Sequence, residues 1–220
     1  MSALVIKTGM SDEARIARLY AAPGTLVLSG IMTVADLRKQ VPADCKAIMS
    51  FGLCGGLVPS VAIAQIVLAS VLVTPDGEYP VDTAWLHRLF AKTRFYEHRW
   101  LSTGVFNQAD TPEQRAALFA KYGAYVIDDE SAAVAQFTKE RGIAFAAMRS
   151  ISDGALDTVP PAARNALNVD GSADIPEVLD SVFADSAQLP DLIKMADQYY
   201  ESLDTLRRAA SLVGPTFQWT

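Results

Sequence analysis

Residues 124–154 read AYVIDDESAAVAQFTKERGIAFAAMRSISDG, and their pattern decides the fold class. Residues 125–127 are β-prone. Residues 132–141 have the composition of a helix, with acidic residues before it and Gly142 after it. Residues 143–151 are almost all apolar, which is typical of a strand buried on both faces of a parallel sheet. The stretch therefore predicts a βαβ unit with two parallel strands in an α/β fold.

Acidic residues follow both strands of this predicted unit. Asp129 and Glu130 come after the first strand, and Asp153 comes at the end of the second. Upstream, Glu13 follows an N-terminal strand, and the glycine-rich residues 52–56 are predicted to form a turn after another strand. Ligands bind outside the carboxyl ends of the strands in open α/β sheets, so these residues indicate a binding site there.

The remainder of the chain alternates strands and helices and ends in helices. The 220 residues predict a single domain, 1–220. Strands are predicted at residues 3–8, 25–29, 47–50, 65–73 and 99–106, and helices at 34–40, 82–92, from 112, at 164–167, 175–183 and 189–212. Helix starts are marked by Ser11, which is expected to cap a helix that begins at Asp12, by Thr33 and by Thr111.

Composition narrows the classes of function. A net charge of -6 argues against sequence-independent nucleic-acid binding, which needs a basic surface. The apolar run at residues 63–73 is too short to cross a bilayer. Cys45 and Cys54 are interpreted as free thiols of a cytoplasmic protein. His87 and His98 have no neighbour at metal-ligand spacing, so no metal is predicted.

The acidic residues allow two interpretations. Two separated carboxylates can act as general acid and general base, and a third can accept hydrogen bonds from sugar hydroxyls. Alternatively, Glu13 and Glu130 are first-turn acids that interact with helix dipoles, and Asp153 is a turn residue before glycine. Cys54 has no identifiable histidine partner and is interpreted as a small packing residue.

Four segments, in this order and spacing, resemble the superfamily of purine nucleoside phosphorylases and nucleosidases, which includes methylthioadenosine/S-adenosylhomocysteine nucleosidase. They are TGMSDEARIAR at 8–18, IMSFGLCGGL at 48–57, DDESAAVA at 128–135 and RSISDGA at 149–155. PPAARNAL, DIPEVLDSV and QLPDLIKMA at 160–196 resemble the hopanoid-associated branch, which removes adenine from adenosylhopane. The resemblance implies a three-layer αβα fold with a mixed, partly barrel-like sheet and C-terminal helices.

The resemblance also assigns roles by position. Glu13 matches the glutamate that activates the attacking water, and Glu130 matches the glutamate that binds the ribose hydroxyls. Asp153 matches the aspartate that protonates the adenine ring, with Ser152 helping to hold it.

Three further residues are expected at the base and sugar. Gly55, beside Cys54, matches backbone that lines this pocket. Phe106 matches, in a looser alignment, the aromatic residue that stacks on the base.

The chain departs from the family pattern at two places. Asp129 stands where the family has a methionine under the sugar. Its repulsion with Glu130 predicts a raised pKa for one of the pair. Ala64-Gln65 replaces a usual Gly-Asp before the fourth strand. Both departures leave the two proposed catalytic carboxylates in place.

The nature of the nucleophile is inferred from residues 50–53. Bacterial phosphorylases of this superfamily resemble R-x-G-S-x-G here, with Arg and Ser holding phosphate. Ser50 and Leu53 take those positions in this chain. A phosphate ion would lose charge-assisted contacts of about 1.5–3 kcal/mol each, so water is favoured.

The sequence thus predicts an enzyme that hydrolyses the N-glycosidic bond of a purine nucleoside without a cofactor, with adenosylhopane as the favoured substrate. Methylthioadenosine/S-adenosylhomocysteine nucleosidase and purine nucleoside phosphorylase are the enzymatic alternatives. Asp129 encourages a third interpretation, a non-catalytic nucleoside-binding protein. A homodimer is expected, no nucleic acid is expected as partner, and peripheral membrane contact is left open.

Overall fold

A computed structural model describes residues 3–93, 95–103, 109–164 and 166–219, which form an eight-stranded mixed sheet flanked by helices. The strands are β1 Leu4–Lys7, β2 Leu26–Leu28, β3 Ala47–Gly56, β4 Ile66–Thr74, β5 Gly77–Pro80, β6 Tyr96–Ser102, β7 Val126–Asp128 and β8 Ala144–Asp153. The α-helices are α1 Ser11–Tyr20, α2 Val34–Gln40, α3 Thr83–Thr93, α4 Pro112–Tyr122, α5 Ser131–Arg141, α6 Pro161–Arg164, α7 Ile175–Ala184 and α8 Leu189–Val213. A 3-10 turn, Ser186–Gln188, precedes α8.

The sheet closes on itself around β3. Strand β3 pairs with β7, β7 with β6, β6 with β4, β4 with β8, and β8 again with β3, so these strands form a ring. Strands β1 and β2 extend it in parallel from β3, and β5 forms a hairpin with β4. The expected mixed α/β fold, with a partly barrel-like sheet and C-terminal helices, is confirmed.

Strand β3 is the centre of the core. All of its residues are buried, because β1 and β8 flank it while α1, α5 and α8 pack against it. Its large apolar side chains, including Met49 and Phe51, belong to one continuous hydrophobic cluster. A strand covered on both faces explains the apolar sequence of this segment.

Two sequence predictions about the central elements are wrong. Strands β7 and β8 do not form a parallel pair, because β7 pairs antiparallel with β3 whereas β8 pairs parallel with it. Residues 52–56 are not a turn, since they continue β3, with a register shift between Cys54 and Gly55. At Gly55 the strand nevertheless meets both Ile127 and Asp153, so the ends of β7 and β8 still converge.

Most helix boundaries follow local sequence signals. One exception is Ser11, which does not precede α1 as its cap, because the helix begins at Ser11 itself and Met10 is the cap residue. The Thr33 hydroxyl accepts a hydrogen bond from the Asp36 backbone N–H and begins α2 at the predicted residue. Thr111 and Gln114 form the predicted capping box of α4. Gly142 ends α5 in the left-handed conformation, with φ 63°. The short helix predicted at 164–167 lies earlier, at Pro161–Arg164. Within the described ranges, no helix is long and apolar enough to cross a membrane.

Leu192, Met195, Tyr199, Leu203, Leu206 and Ala210 form an apolar stripe along α8, and this stripe divides into two parts. Leu203, Leu206 and Ala210 are buried in the main hydrophobic cluster, where α8 packs on β8. Ser202 fixes this contact, because its hydroxyl donates to the carbonyl of Ile151 at 2.6 Å. Further towards the N-terminus of α8, the same stripe faces a cavity.

We expect Leu206→Ala to lower the free energy of unfolding by about 2–5 kcal/mol, because it leaves a void beneath a fully buried side chain. Leu212→Ala on the same helix is the control, since Leu212 is 52% exposed and should change stability by no more than about 0.5 kcal/mol. Urea unfolding of both variants measures the difference. Equal losses would contradict the assignment of α8 to the core.

Candidate active site

A cavity of about 500 Å³ lies where β3, β7 and β8 end. Its floor is polar and its outer wall, from α6, the following loop and α8, is largely apolar. The sequence-predicted residues among those that line it are Glu13, Cys54, Gly55, Asp129, Glu130, Ser152 and Asp153. Phe106 lies outside the described residues. The structure therefore brings the remaining predicted residues into one cavity.

Glu13 is held at the cavity floor by backbone donors. Its Oε2 accepts the N–H groups of Gly9 and Met10, both at 2.8 Å, and its Oε1 accepts the N–H of Leu53 at 2.7 Å. The side chain is almost completely buried. Burial raises the pKa of Glu13 to about 7 although Arg149 acts in the opposite direction. A carboxyl with such a pKa can accept a proton near neutral pH.

Arg149, which the sequence analysis did not single out, organises the neighbouring acids. Its guanidinium lies 2.9 Å from Asp128 Oδ2 and 3.1 Å from Glu130 Oε2, and it donates to the Leu53 carbonyl at 2.8 Å. Burial opposes its charge, but the carboxylates of Asp128, Glu130 and Glu13 outweigh burial and raise the pKa of Arg149. A charged residue inside a strand of apolar residues was the available signal.

Asp128 is the last residue of β7. Its Oδ1 accepts the Ser102 hydroxyl at 2.6 Å, and its Oδ2 accepts the Ser131 hydroxyl at 2.5 Å. It also accepts the backbone N–H of Ser131, where α5 begins. With both oxygens engaged, Asp128 anchors Arg149 and the start of α5, and Glu130 is left to face the cavity.

Asp129 lies at the cavity next to Glu130, and its Oδ1 accepts the Thr103 hydroxyl at 2.9 Å. Burial, and then the charge of Glu130, raise the pKa of Asp129 to about 8. The sequence predicted a raised pKa from repulsion by Glu130, whereas burial is the larger of the two causes.

Asp153 lies at the end of β8 with both oxygens engaged. Its Oδ1 accepts the Ser152 hydroxyl at 2.9 Å, and its Oδ2 accepts Nη2 of Arg115 at 2.5 Å. Arg115, which comes from α4, is 1% exposed, whereas the side chain of Asp153 is 18% exposed. No sequence signal identified Arg115, because a single arginine in a helix is usually exposed.

Glycines leave space for three of these carboxylates, those of Glu13, Glu130 and Asp153. A Cβ on Gly52 would lie 2.4 Å from the carboxylate of Glu13, and one on Gly9 would lie 2.3 Å from that of Glu130. A Cβ on Gly55 would lie 2.8 Å from Asp153 Oδ2. The glycines of β3 that suggested a turn thus permit close approach of side chains to the strand.

Two other residues singled out from the sequence, Cys54 and Ala64, have structural rather than chemical roles. Burial raises the pKa of the Cys54 thiol well above its usual value, which agrees with a packing residue. Ala64, at which the sequence resemblance leads one to expect glycine, adopts φ 60° and thus the backbone conformation that glycine favours. Among the described residues, no group of histidine, cysteine and acidic side chains is arranged to hold a metal ion.

The cavity carries an excess of acids. Seven carboxyl groups and two guanidinium groups line it, and both guanidinium groups are paired, Arg115 with Asp153 and Arg164 with Asp110. The carboxyl groups belong to Asp12, Glu13, Asp110, Asp128, Asp129, Glu130 and Asp153. A site of this kind favours positive charge and disfavours a further anion.

Residues 24–182, well over half of the chain, match the phosphorylase superfamily, and the chain belongs to that family. The matched range begins after Glu13 and contains Glu130 and Asp153. Membership confirms the superfamily suggested by the four sequence segments. No curated protein sequence gave a significant match.

Solved structures of nucleosidases share the fold. The 5'-methylthioadenosine/S-adenosylhomocysteine nucleosidase of Helicobacter pylori is 14% identical, with a TM-score of 0.61 over 94% of this chain and 97% of that chain. The methylthioadenosine/S-adenosylhomocysteine nucleosidase of Streptococcus pneumoniae is 12% identical, with a TM-score of 0.64 over 99% of both chains. Futalosine hydrolase of Helicobacter pylori is 16% identical, with a TM-score of 0.58 over 92% and 96%.

We expect Arg149→Met to lower the free energy of unfolding by about 3–5 kcal/mol, because it leaves buried carboxylates without their counter-ion. The control is Arg207→Met, since Arg207 makes a half-exposed ion pair with Asp204 that contributes at most about 1 kcal/mol. Urea unfolding at neutral pH measures both. A loss for Arg149→Met as small as that for Arg207→Met would contradict the proposed role of the cluster.

We expect the difference in free energy of unfolding between Asp129→Asn and the unsubstituted protein to shift in favour of Asp129→Asn as pH rises. Because the pKa is about 8 in the folded protein and 3.8 is its ordinary value, the folded state holds the proton more tightly, and stability is lost as pH rises between these values. Asparagine removes this loss. Unfolding curves measured at several pH values test the prediction, with the exposed Asp44→Asn as control. A pH-independent difference would contradict it.

Proposed function

We propose that the protein is a hydrolase that cleaves the N-glycosidic bond of a purine nucleoside. The observation that carries the proposal is the convergence of Glu13, Glu130 and Asp153 on one cavity, each held by different partners. The phosphorylase superfamily and the nucleosidase fold support it. The Streptococcus pneumoniae nucleosidase, which shares this fold, was solved in complex with 8-aminoadenine.

Each carboxylate has a distinct role in the proposed reaction. Glu130 accepts hydrogen bonds from the ribose hydroxyls, while Asp153 gives a proton to the purine ring as the bond to the sugar breaks. The bonding electrons leave with the base, and positive charge develops on the sugar. Glu13 takes a proton from a water molecule whose oxygen adds to the anomeric carbon. The products are the free base and the free sugar.

Water is the nucleophile in this proposal because of the charges in the cavity. A phosphate ion would enter a site with seven carboxyl groups, in which the lining guanidinium groups already have carboxylate partners. Arg149 is also paired, with Asp128 and Glu130. The same acidic surroundings stabilise the positive charge that develops on the sugar.

For the substrate we propose a lipid-linked adenine nucleoside, adenosylhopane, as the resemblance to the hopanoid-associated branch implies. The apolar outer wall supports this choice, because Leu167 of the loop after α6 and Leu192, Met195 and Tyr199 of α8 line the cavity. In this proposal, the hydrocarbon group attached to the sugar lies against these side chains. Methylthioadenosine and S-adenosylhomocysteine, with smaller or more polar substituents, are the rival substrates.

A panel of nucleosides tests the activity. Adenosylhopane, methylthioadenosine, S-adenosylhomocysteine, adenosine and inosine are incubated with the enzyme, with and without phosphate. Free base, free sugar and sugar 1-phosphate are then measured. We expect adenine and free sugar, equal rates with and without phosphate, and fastest turnover of adenosylhopane. Formation of sugar 1-phosphate would reject hydrolysis, and binding of adenine without turnover of any nucleoside would identify a binding protein.

The pH dependence of kcat/KM tests the base. Because Glu13 must be ionised to accept a proton, kcat/KM should rise as pH increases through about 7. Glu13→Gln should lower kcat by about 10²–10⁴ and remove this rise. The exposed Glu140→Gln is the control and should leave both unchanged. Retention of the rising limb in Glu13→Gln would show that another group is the base.

A further inference from the structure

Arg115 is an unusual residue for its position. Helix α4 has one buried side chain among those described, and this side chain is an arginine. Its Nη2 donates to Asp153 Oδ2 at 2.5 Å, and its Nη1 donates to the Gly56 carbonyl at 3.0 Å. A buried guanidinium is costly unless it has partners, so a helix that buries only this group indicates a specific use for it.

The contacts of Arg115 fix the orientation of Asp153. Arg115 holds Oδ2 and the Ser152 hydroxyl holds Oδ1, so rotation of the carboxyl breaks at least one hydrogen bond. Gly55 allows the arrangement, since a Cβ there would lie 2.8 Å from Asp153 Oδ2 and 3.1 Å from Arg115 Nη1. The carboxyl is therefore placed before any ligand enters the cavity.

Helix α4 is itself tied to the chain that follows Asp153. Gln114 Oε1 accepts the backbone N–H groups of Asp110 and Thr111, which fixes the first turn of the helix. The carbonyl of Asp110 accepts the N–H of Val159 at 2.8 Å. These bonds hold Arg115 at a constant position relative to the segment beyond β8.

We propose that Arg115 is a positioning residue that orients Asp153 and stabilises the carboxylate left behind when Asp153 protonates the departing base. The inference rests on the proposed function. Asp153 takes up a proton from solvent water before each turnover. During the step, its O–H bond breaks, an N–H bond forms on the purine, and the electrons of the glycosidic bond pass to the base. The ion pair with Arg115 is the arrangement expected after the transfer, so it favours movement of the proton to the base.

A double-substitution cycle tests the inference. kcat and KM for adenine release are measured for Arg115→Met, Asp153→Asn and the variant with both, using the nucleoside of the panel with the highest turnover. We expect Asp153→Asn to lower kcat by about 10²–10⁴ and Arg115→Met by about 10². KM should change little, because Glu130 and Arg149 remain. In the Asp153→Asn background, Arg115→Met should cause no further loss, since Arg115 acts through Asp153.

Two further measurements separate this role from a purely structural one. Arg115→Lys keeps the charge but loses the paired geometry, so it should retain more activity than Arg115→Met and can replace it in the cycle if Arg115→Met does not fold. Guanidinium ion added at millimolar concentration should partly restore kcat in folded Arg115→Met. Urea unfolding confirms that each variant is folded under the assay conditions.

The outcomes are distinct. Losses that multiply in the variant with both substitutions, or normal kcat in folded Arg115→Met, would overturn the role of Arg115 while leaving the hydrolase in place. Near-normal turnover in Asp153→Asn would instead reject Asp153 as the acid and remove the basis of both proposals. The inference is supported if Arg115→Met lowers kcat only when Asp153 is present, and if guanidinium ion partly restores kcat in that variant.

Discussion

The buried guanidinium of Arg149 is the constraint on which the rest of the site depends. Asp128 and Glu130 lie within ion-pair distance of it, and its charge also acts on Glu13. Without a cation, these acids would repel one another in a poorly solvated place and would take up protons. Arg149 allows several acids to remain close together, and its bond to the Leu53 carbonyl ties the cluster to β3.

A second buried guanidinium, that of Arg115, is paired with the proposed acid, Asp153. Glu13 and Glu130 are the groups proposed to act at the sugar, whereas Arg115 is paired with Asp153, the group proposed to act at the base. Cleavage of a glycosidic bond leaves positive charge on the sugar and electrons on the base. Negative groups on one side and a positive group on the other favour this separation, and because they are held by hydrogen bonds they need little reorganisation.

Local parts of the fold could be predicted from sequence, but the closure of the sheet could not. Capping residues such as Thr33 and Thr111 mark helix starts through contacts within a few residues, so α2 and α4 were located correctly. The antiparallel pairing of β7 with β3 depends on strands distant in sequence. Glycines at 52–56 suggested a turn because glycine is a common turn residue. Their actual role is to leave space for carboxylates that come from elsewhere in the chain, and the local sequence does not show this.

The candidate site could also be predicted only in part from the sequence, but for a different reason. Glu13, Glu130 and Asp153 could be proposed because each lies in a short segment resembling the family, but the partners that hold them carry no such local signal. Arg115 reaches Asp153 across 38 positions of sequence, and Leu53 reaches Glu13 across 40. Strand β3 supplies the connection, since it contacts Glu13 and Arg149 through Leu53 and leaves room for Asp153 at Gly55. One buried strand therefore sets the relative positions of the proposed base and the proposed acid, and a change in its register would move both.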